Sequence, residues 1–116
     1  MYGLLLVATL LVCLFVATNN NNSFFEIRPS KIHGVGVFTR KQFFTGEAVL
    51  KAIELSQEIT YLGKHVNHSN NPNTVLKLQN DGWYLLALRN INPNEEITAD
   101  YKDTPPFIKK PDPNWK

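Results

Sequence analysis

Two glycines and a polar dipeptide are the residues best suited to hold a ligand. Gly34 and Gly36 let backbone N–H groups approach a ligand without a Cβ in the way, although a tight turn between strands would also explain them. Asn67 and His68 stand in a polar stretch, where each either contacts a ligand or satisfies and packs the loop itself. His65 and His68 have a spacing that a metal site could use, but no third ligand is near, so we expect no metal.

Acidic and aromatic residues follow one another near residue 100. Glu95 and Glu96 come directly after the turn signal of residues 92–94, so we expect both carboxylates on a surface turn and not as general acids. Tyr101 ends the next apolar stretch. Its ring could pack in the core with a solvated hydroxyl, or the hydroxyl could orient a substrate.

Many short strands separated by turns must position these candidates. The predicted strands cover residues 24–28, 35–40, 47–55, 74–79, 83–89 and 97–101. Ser56 is predicted to cap a short helix that runs to about Lys64. Residues 67–73 are predicted as a polar loop, and Asn80-Asp81-Gly82 as a hairpin turn. The pattern indicates one mainly β domain.

Charge and cysteine content narrow the function classes. The chain has 116 residues and a net charge of +2, without a run of Lys and Arg that would form a basic stripe. We therefore expect no direct nucleic-acid binding. Cys13 is the one cysteine in the sequence, which excludes an internal disulfide and a cysteine metal site.

The first part of the sequence is apolar. Residues 3–18 carry no charged side chain, and as a helix they would span about 24 Å, short of the roughly 30 Å of a bilayer core but usable. All 12 Lys and Arg follow this segment, which predicts a transmembrane anchor helix with the domain on the cytoplasmic side. A cleaved signal peptide and a mis-assigned start are the alternatives, and a soluble intracellular protein is the alternative location.

Four motifs stand in the order found in SET domains. They are Gly34-x-Gly36 with Val37-Phe38, Gly46-Glu47, Asn67-His68-Ser69 with Pro72-Asn73, and Ile91-x-Pro93-x-Glu95-Glu96-Ile97-Thr98 leading to Asp100-Tyr101. The chain therefore resembles a SET domain over roughly residues 24–101. The resemblance implies a mainly β, β-clip-like fold of several short sheets with a pseudoknot, in which the last segment threads through a loop. We divide the chain into an anchor or signal-like segment with an Asn-rich linker (1–22), a SET domain (23–103) and a Pro-rich tail (104–116).

The same resemblance implies an enzyme. It indicates an S-adenosylmethionine-dependent protein-lysine N-methyltransferase whose partner is a protein substrate with a target lysine, histone or non-histone. The implied cofactor-binding residues are Gly34, Val35, Gly36, Asn67, His68 and Tyr101. Asn67 would hold the cofactor's amino group through its side chain, and His68 would present backbone groups to the adenine.

Tyr101 is the implied catalytic residue. Methyl transfer to an amine is an in-line displacement, so positioning should supply most of the rate, and the lysine must first lose its proton from a group whose free pKa is about 10.4. Tyr84, Tyr61 and Phe107 are the further candidates for the lysine channel, with core packing as the alternative for the two tyrosines.

Two departures from the family bear on the substrate. The sequence has no cysteine-rich zinc segment after the domain, and the stretch between Glu54 and Asn67 is very short. The alternative function is therefore a non-catalytic SET-like binding module, which residues 3–18 could tether to a membrane.

Overall fold

Residues 24–108 are described by a computed structural model, and they form two small β-sheets with little helix. The strands are β1 (Phe25–Pro29), β2 (Val35–Thr39), β3 (Ala48–Glu54), β4 (Asn67–His68), β5 (Thr74–Gln79), β6 (Gly82–Ala87) and β7 (Glu96–Ala99). One α-helix, α1 (Tyr61–His65), precedes β4, and a 3₁₀ helix (Tyr101–Asp103) follows β7. The mainly β prediction is confirmed.

The first sheet has the strand order β1-β2-β7-β4. The β1, β2 and β7 strands pair antiparallel, with Val37 opposite Ile97, whereas β7 pairs parallel with β4, with Asn67 opposite Thr98. The prediction of a loop at residues 67 and 68 was wrong. A two-residue strand is too short to show an alternating pattern, and its burial comes from pairing with a strand far along the chain.

The second sheet has the order β3-β6-β5. The β5 and β6 strands form the predicted hairpin around Asn80 and Asp81, with Gln79 opposite Gly82. The two sheets share one core, in which Val37 and Ile97 of the first sheet are fully buried and Leu50 and Leu85 of the second are buried beside them. Burial of such side chains supplies the main stabilisation of the domain.

The helix begins later than predicted. Residues 55–58 form a turn after β3 that a bridge between Ile53 and Ile59 closes, so Ser56 lies outside the helix. Thr60 is the N-cap instead: its hydroxyl accepts the N–H of Gly63 at 2.9 Å and donates to the carbonyl of Lys51 at 2.7 Å. One threonine therefore caps α1 and ties it to β3.

The contact between α1 and β3 depends on the absence of a side chain at Gly63. A Cβ there would lie 3.0 Å from the Cα and the carbonyl carbon of Ala52, and nearer still to its oxygen. Alanine is normally the better helix former by about 1 kcal/mol, but overlap with backbone costs about 1–3 kcal/mol. We expect Gly63→Ala to lower the free energy of unfolding by about 1–2 kcal/mol in urea titrations. The exposed neighbouring variant Lys64→Ala is the control, and a more stable Gly63→Ala protein would contradict the packing argument.

The apolar segment at residues 3–18 lies outside the described residues, as do residues 1–2, 19–23 and 109–116. Within residues 24–108, no helix has the length and apolar character needed to cross a membrane. The N-terminal anchor helix and the division of the chain into three parts stay predictions.

Candidate functional site

The two motif glycines lie in the turn between β1 and β2 (Gly34) and at the start of β2 (Gly36), and they are needed for different reasons. Gly34 has φ +48°, in the left-handed region that favours glycine, and its carbonyl accepts the N–H of Ser30 at 2.8 Å. Gly36 lies in β2, where a Cβ would overlap the carboxylate of Glu96. Gly34 therefore sets the shape of the turn, and Gly36 leaves room for a neighbouring side chain.

Asn67 joins this turn to β4. Its Nδ2 donates to the carbonyls of His33 (3.1 Å) and Val35 (3.0 Å), and to Oε2 of Glu96 at 2.9 Å. Because all three partners only accept, they fix which way the amide faces. Asn67 is buried, with 9% of its surface exposed, and yet its Oδ1 accepts no hydrogen bond from the described residues 24–108. The site thus presents an amide oxygen that can accept a hydrogen bond from a ligand.

Glu96 occupies a different place from the surface turn that we expected. It is the first residue of β7 and half-buried, and its carboxylate also accepts the hydroxyl of Ser30 at 2.8 Å. Glu95 instead pairs with Arg89 at 3.0 Å. Glu95 precedes β7 and Glu96 is its first residue, so the two acids lie on different elements, and a strand predicted from Glu96 would have separated them.

The His68 side chain has a structural role. It is 6% exposed, its Nδ1 accepts the backbone N–H of Tyr101 at 3.0 Å, and its Nε2 lies 3.0 Å from Oδ1 of Asn70. This pattern places the imidazole proton on Nε2. Oδ1 of Asp100 lies 3.7 Å from Nδ1, too far for a hydrogen bond, so we interpret the pair as neighbours and not as an ion pair. The role of the His68 backbone toward an adenine stays a prediction.

Tyr101 lies directly beside the Asn67-His68 segment. Tyr101 is the first residue of the 3₁₀ helix that follows β7. The prediction that it ends the strand was wrong, because β7 stops at Ala99. Its hydroxyl donates to the carbonyl of Val66, and its ring lies 5.3 Å from that of His68. Burial raises the pKa of Tyr101, so the phenol is protonated at neutral pH.

Tyr84 and Phe107, two of the predicted channel residues, are not brought together. Tyr84 donates its hydroxyl to Oδ2 of Asp81 at 3.1 Å, whereas Phe107 packs edge-on against Trp83 with ring centroids 5.3 Å apart. Trp83 and Tyr84 are consecutive in β6 and so face opposite sides of the sheet. The contact of Trp83 with Phe107 was not predicted. The alternation of side chains along a strand would have placed Trp83 on the opposite face from Tyr84.

Asn73 is a second residue whose role was missed. It is 3% exposed, its Nδ2 donates to the carbonyl of Glu96 at 2.8 Å, and its Oδ1 accepts the N–H of Thr98 at 2.9 Å. The side chain thus pairs with β7 as a neighbouring strand would. No group of three or more His, Cys, Asp or Glu side chains that could hold a metal ion occurs in the part of the chain that the structure describes.

Comparisons with known proteins agree with the motifs. The SET domain family model matches residues 53–102, which include the Asn67 motif and the segment that ends at Tyr101. Solved structures of similar fold include the crystal structure of a Plasmodium falciparum protein described as a "putative histone methyltransferase". It superposes with a TM-score of 0.54 at 21% sequence identity, covering 66% of this chain and 91% of that chain. No curated protein matches this chain. The family match over residues 53–102 and the similar fold of the solved structure both support the resemblance to a SET domain that the motifs showed.

Proposed function

We propose that this protein is an S-adenosylmethionine-dependent protein-lysine N-methyltransferase. The observation that carries the proposal is the parallel pairing of β4 with β7, which brings Asn67 and Tyr101 to one site. Because β7 lies between β2 and β4, we also infer that it is the threaded segment of the family's pseudoknot. The motif residues are then parts of one site and not separate turns.

The residues present fit the amino-acid end of the cofactor. That end carries an ammonium group, a donor without an acceptor, and the Oδ1 of Asn67 can accept a hydrogen bond from it. The backbone of Gly34, Val35 and Gly36 lies beside the Asn67 amide, with the Val35 carbonyl 3.0 Å from Nδ2, and would hold the same end, whereas His68 would contribute backbone groups to the adenine. When bound, the cofactor supplies an electrophilic methyl group on a positively charged sulfur.

In the proposed mechanism, Tyr101 orients the substrate amine. Its O–H donates to the carbonyl of Val66, and a phenolic oxygen that donates can also accept, here from an N–H of a lysine. This would direct the nitrogen lone pair along the line of displacement, and desolvation of the lysine would favour its neutral form. Both effects come from position, and neither requires the phenol to ionise.

The substrate class follows from the family. The similar Plasmodium falciparum protein is described as a "putative histone methyltransferase", and we propose a protein lysine, histone or non-histone, as the target of this chain. Membrane anchoring through residues 3–18, with the SET domain on the cytoplasmic side, stays part of the proposal.

Calorimetric titration with S-adenosylhomocysteine tests the cofactor site. We expect the wild-type chain to bind and Asn67→Ala to lose more than about tenfold in affinity, because a hydrogen bond to a charged ligand group is lost. The control is Asn71→Ala, an exposed asparagine in the following loop. Absence of binding to the wild-type protein would contradict the proposed function.

A non-catalytic SET-like binding module is the second candidate. The separation of Tyr84 from Phe107 favours it, because the lysine channel predicted from these two residues is not assembled as expected. Transfer of a labelled methyl group to histones, ribosomal proteins and a proteome extract separates the two functions. Bound cofactor without any transfer would support the module.

A further inference from the structure

We propose that Glu96 is a positioning residue for the cofactor's amino group, an inference that rests on the proposed function. Its carboxylate lies between the turn that holds Gly34 and the strand that holds Asn67, and it touches both. No role in ligand binding was expected for this side chain, since paired acids after a turn signal are typical of a solvated surface.

Hydrogen bonds that the Glu96 carboxylate accepts from Ser30 and from Asn67 join two distant parts of the chain, and we call this arrangement the clamp. The Ser30 hydroxyl lies 2.8 and 2.9 Å from the two carboxylate oxygens, and the same hydroxyl accepts the N–H of Ile32 at 2.9 Å. On the other side, Oε2 accepts from Nδ2 of Asn67. The missing Cβ of Gly36 is what allows the carboxylate to lie there. Glu96 therefore holds the glycine turn and Asn67 in one arrangement.

The charge of Glu96 adds to this effect. Among the three acceptors of the Asn67 amide, two are neutral carbonyls and the third is the carboxylate, which makes the stronger hydrogen bond. A carboxylate that accepts from Nδ2 polarises the amide and makes Oδ1 a better acceptor. It also places a negative charge behind the position where an ammonium group would bind. The clamp should thus favour ligands that carry the amino group.

The test compares two ligands on one variant. Glu96→Gln keeps the size and an acceptor oxygen but removes the charge. We expect it to weaken binding of S-adenosylhomocysteine about tenfold, and to leave binding of the des-amino analogue, which has hydrogen in place of the amino group, nearly unchanged. In methyl transfer, the KM for S-adenosylmethionine should rise by a similar factor with little change in kcat.

Glu95→Gln is the matched control. It removes an equal charge one residue away from Glu96, and the Glu95 side chain pairs with Arg89 and not with Asn67. It should leave both affinities unchanged. If Glu96→Gln does not fold, Glu96→Asp keeps the charge but withdraws it by one methylene, and the same ligand difference is expected. Equal weakening of both ligands, no weakening of either, or a fall in kcat with an unchanged KM would overturn the proposal. Failure of the wild-type protein to bind S-adenosylhomocysteine would instead overturn the proposed function.

Discussion

Tyr101→Phe is expected to slow methyl transfer about 100-fold while affinity for S-adenosylhomocysteine changes little, since misplacement of a reacting group can cost that much. The substitution removes the phenolic oxygen that would accept a lysine N–H but keeps the ring that lies against His68. Single-turnover transfer of labelled methyl groups measures the rate, and calorimetry measures the affinity. A variant as fast as the wild-type protein would show that Tyr101 does not orient the amine.

Tyr61→Phe is the control for loss of a tyrosine hydroxyl, because Tyr61 is 63% exposed on α1.

The pH profile gives an independent check on the state of Tyr101. Burial raises the pKa of Tyr101, so its hydroxyl stays protonated up to pH values above its ordinary pKa near 10. The rate should therefore rise with pH as the substrate lysine loses its proton, in the wild-type protein and in Tyr101→Phe alike. A wild-type rate that falls between pH 8 and pH 10, while circular dichroism shows that the protein stays folded, would contradict this account.

Asn73→Ala is expected to be the most destabilising single substitution in the site, lowering the free energy of unfolding by about 2–4 kcal/mol. It leaves the buried N–H of Thr98 without its side-chain acceptor and the carbonyl of Glu96 without its side-chain donor. Each unsatisfied buried group costs about 1–3 kcal/mol, a large share of the roughly 5–15 kcal/mol by which domains are stable. Urea unfolding measures the loss.

The control for Asn73→Ala is Asn71→Ala, in which an exposed asparagine of the same loop is shortened. It should change stability by less than about 0.5 kcal/mol, as is usual for surface sites. A change that small in Asn73→Ala would mean that water replaces the side chain beside β7, and that the amide is not needed to hold the strand.

The strands and the family could be predicted from the sequence because both depend on local or ordered patterns. The β5–β6 hairpin follows from alternating apolar residues around Asn80-Asp81-Gly82, and the structure has it with the predicted turn. The motif order was specific enough to predict the SET domain, although its two halves, around Asn67 and around Tyr101, look unremarkable when each is taken alone.

The contacts that build the site could not be predicted in this way, because they join residues far apart along the chain. The two-residue strand β4 is polar, so no hydrophobic pattern marks it, and it is buried by pairing with β7. The placement of Glu96 depends on Ser30, 66 positions away. Helix α1 is capped by Thr60 and not by Ser56 because the bridge from Ile53 to Ile59 uses the intervening backbone. Tertiary structure decides in each case between two locally acceptable choices.

The position of β7 between β2 and β4 also has a consequence for how the protein folds. Its two neighbours come from earlier in the chain, and neither pairs with the other, so the first sheet cannot close until β7 has been synthesised and inserted. Contacts as distant as the 33 positions between His68 and Tyr101 raise the contact order, which slows folding and prolongs the exposure of apolar strands. The β5–β6 hairpin can form early, whereas the site that we propose for the cofactor is expected to form last. A nascent chain would therefore be prone to aggregate during the interval in which the edge of β2 that pairs with β7 has no partner.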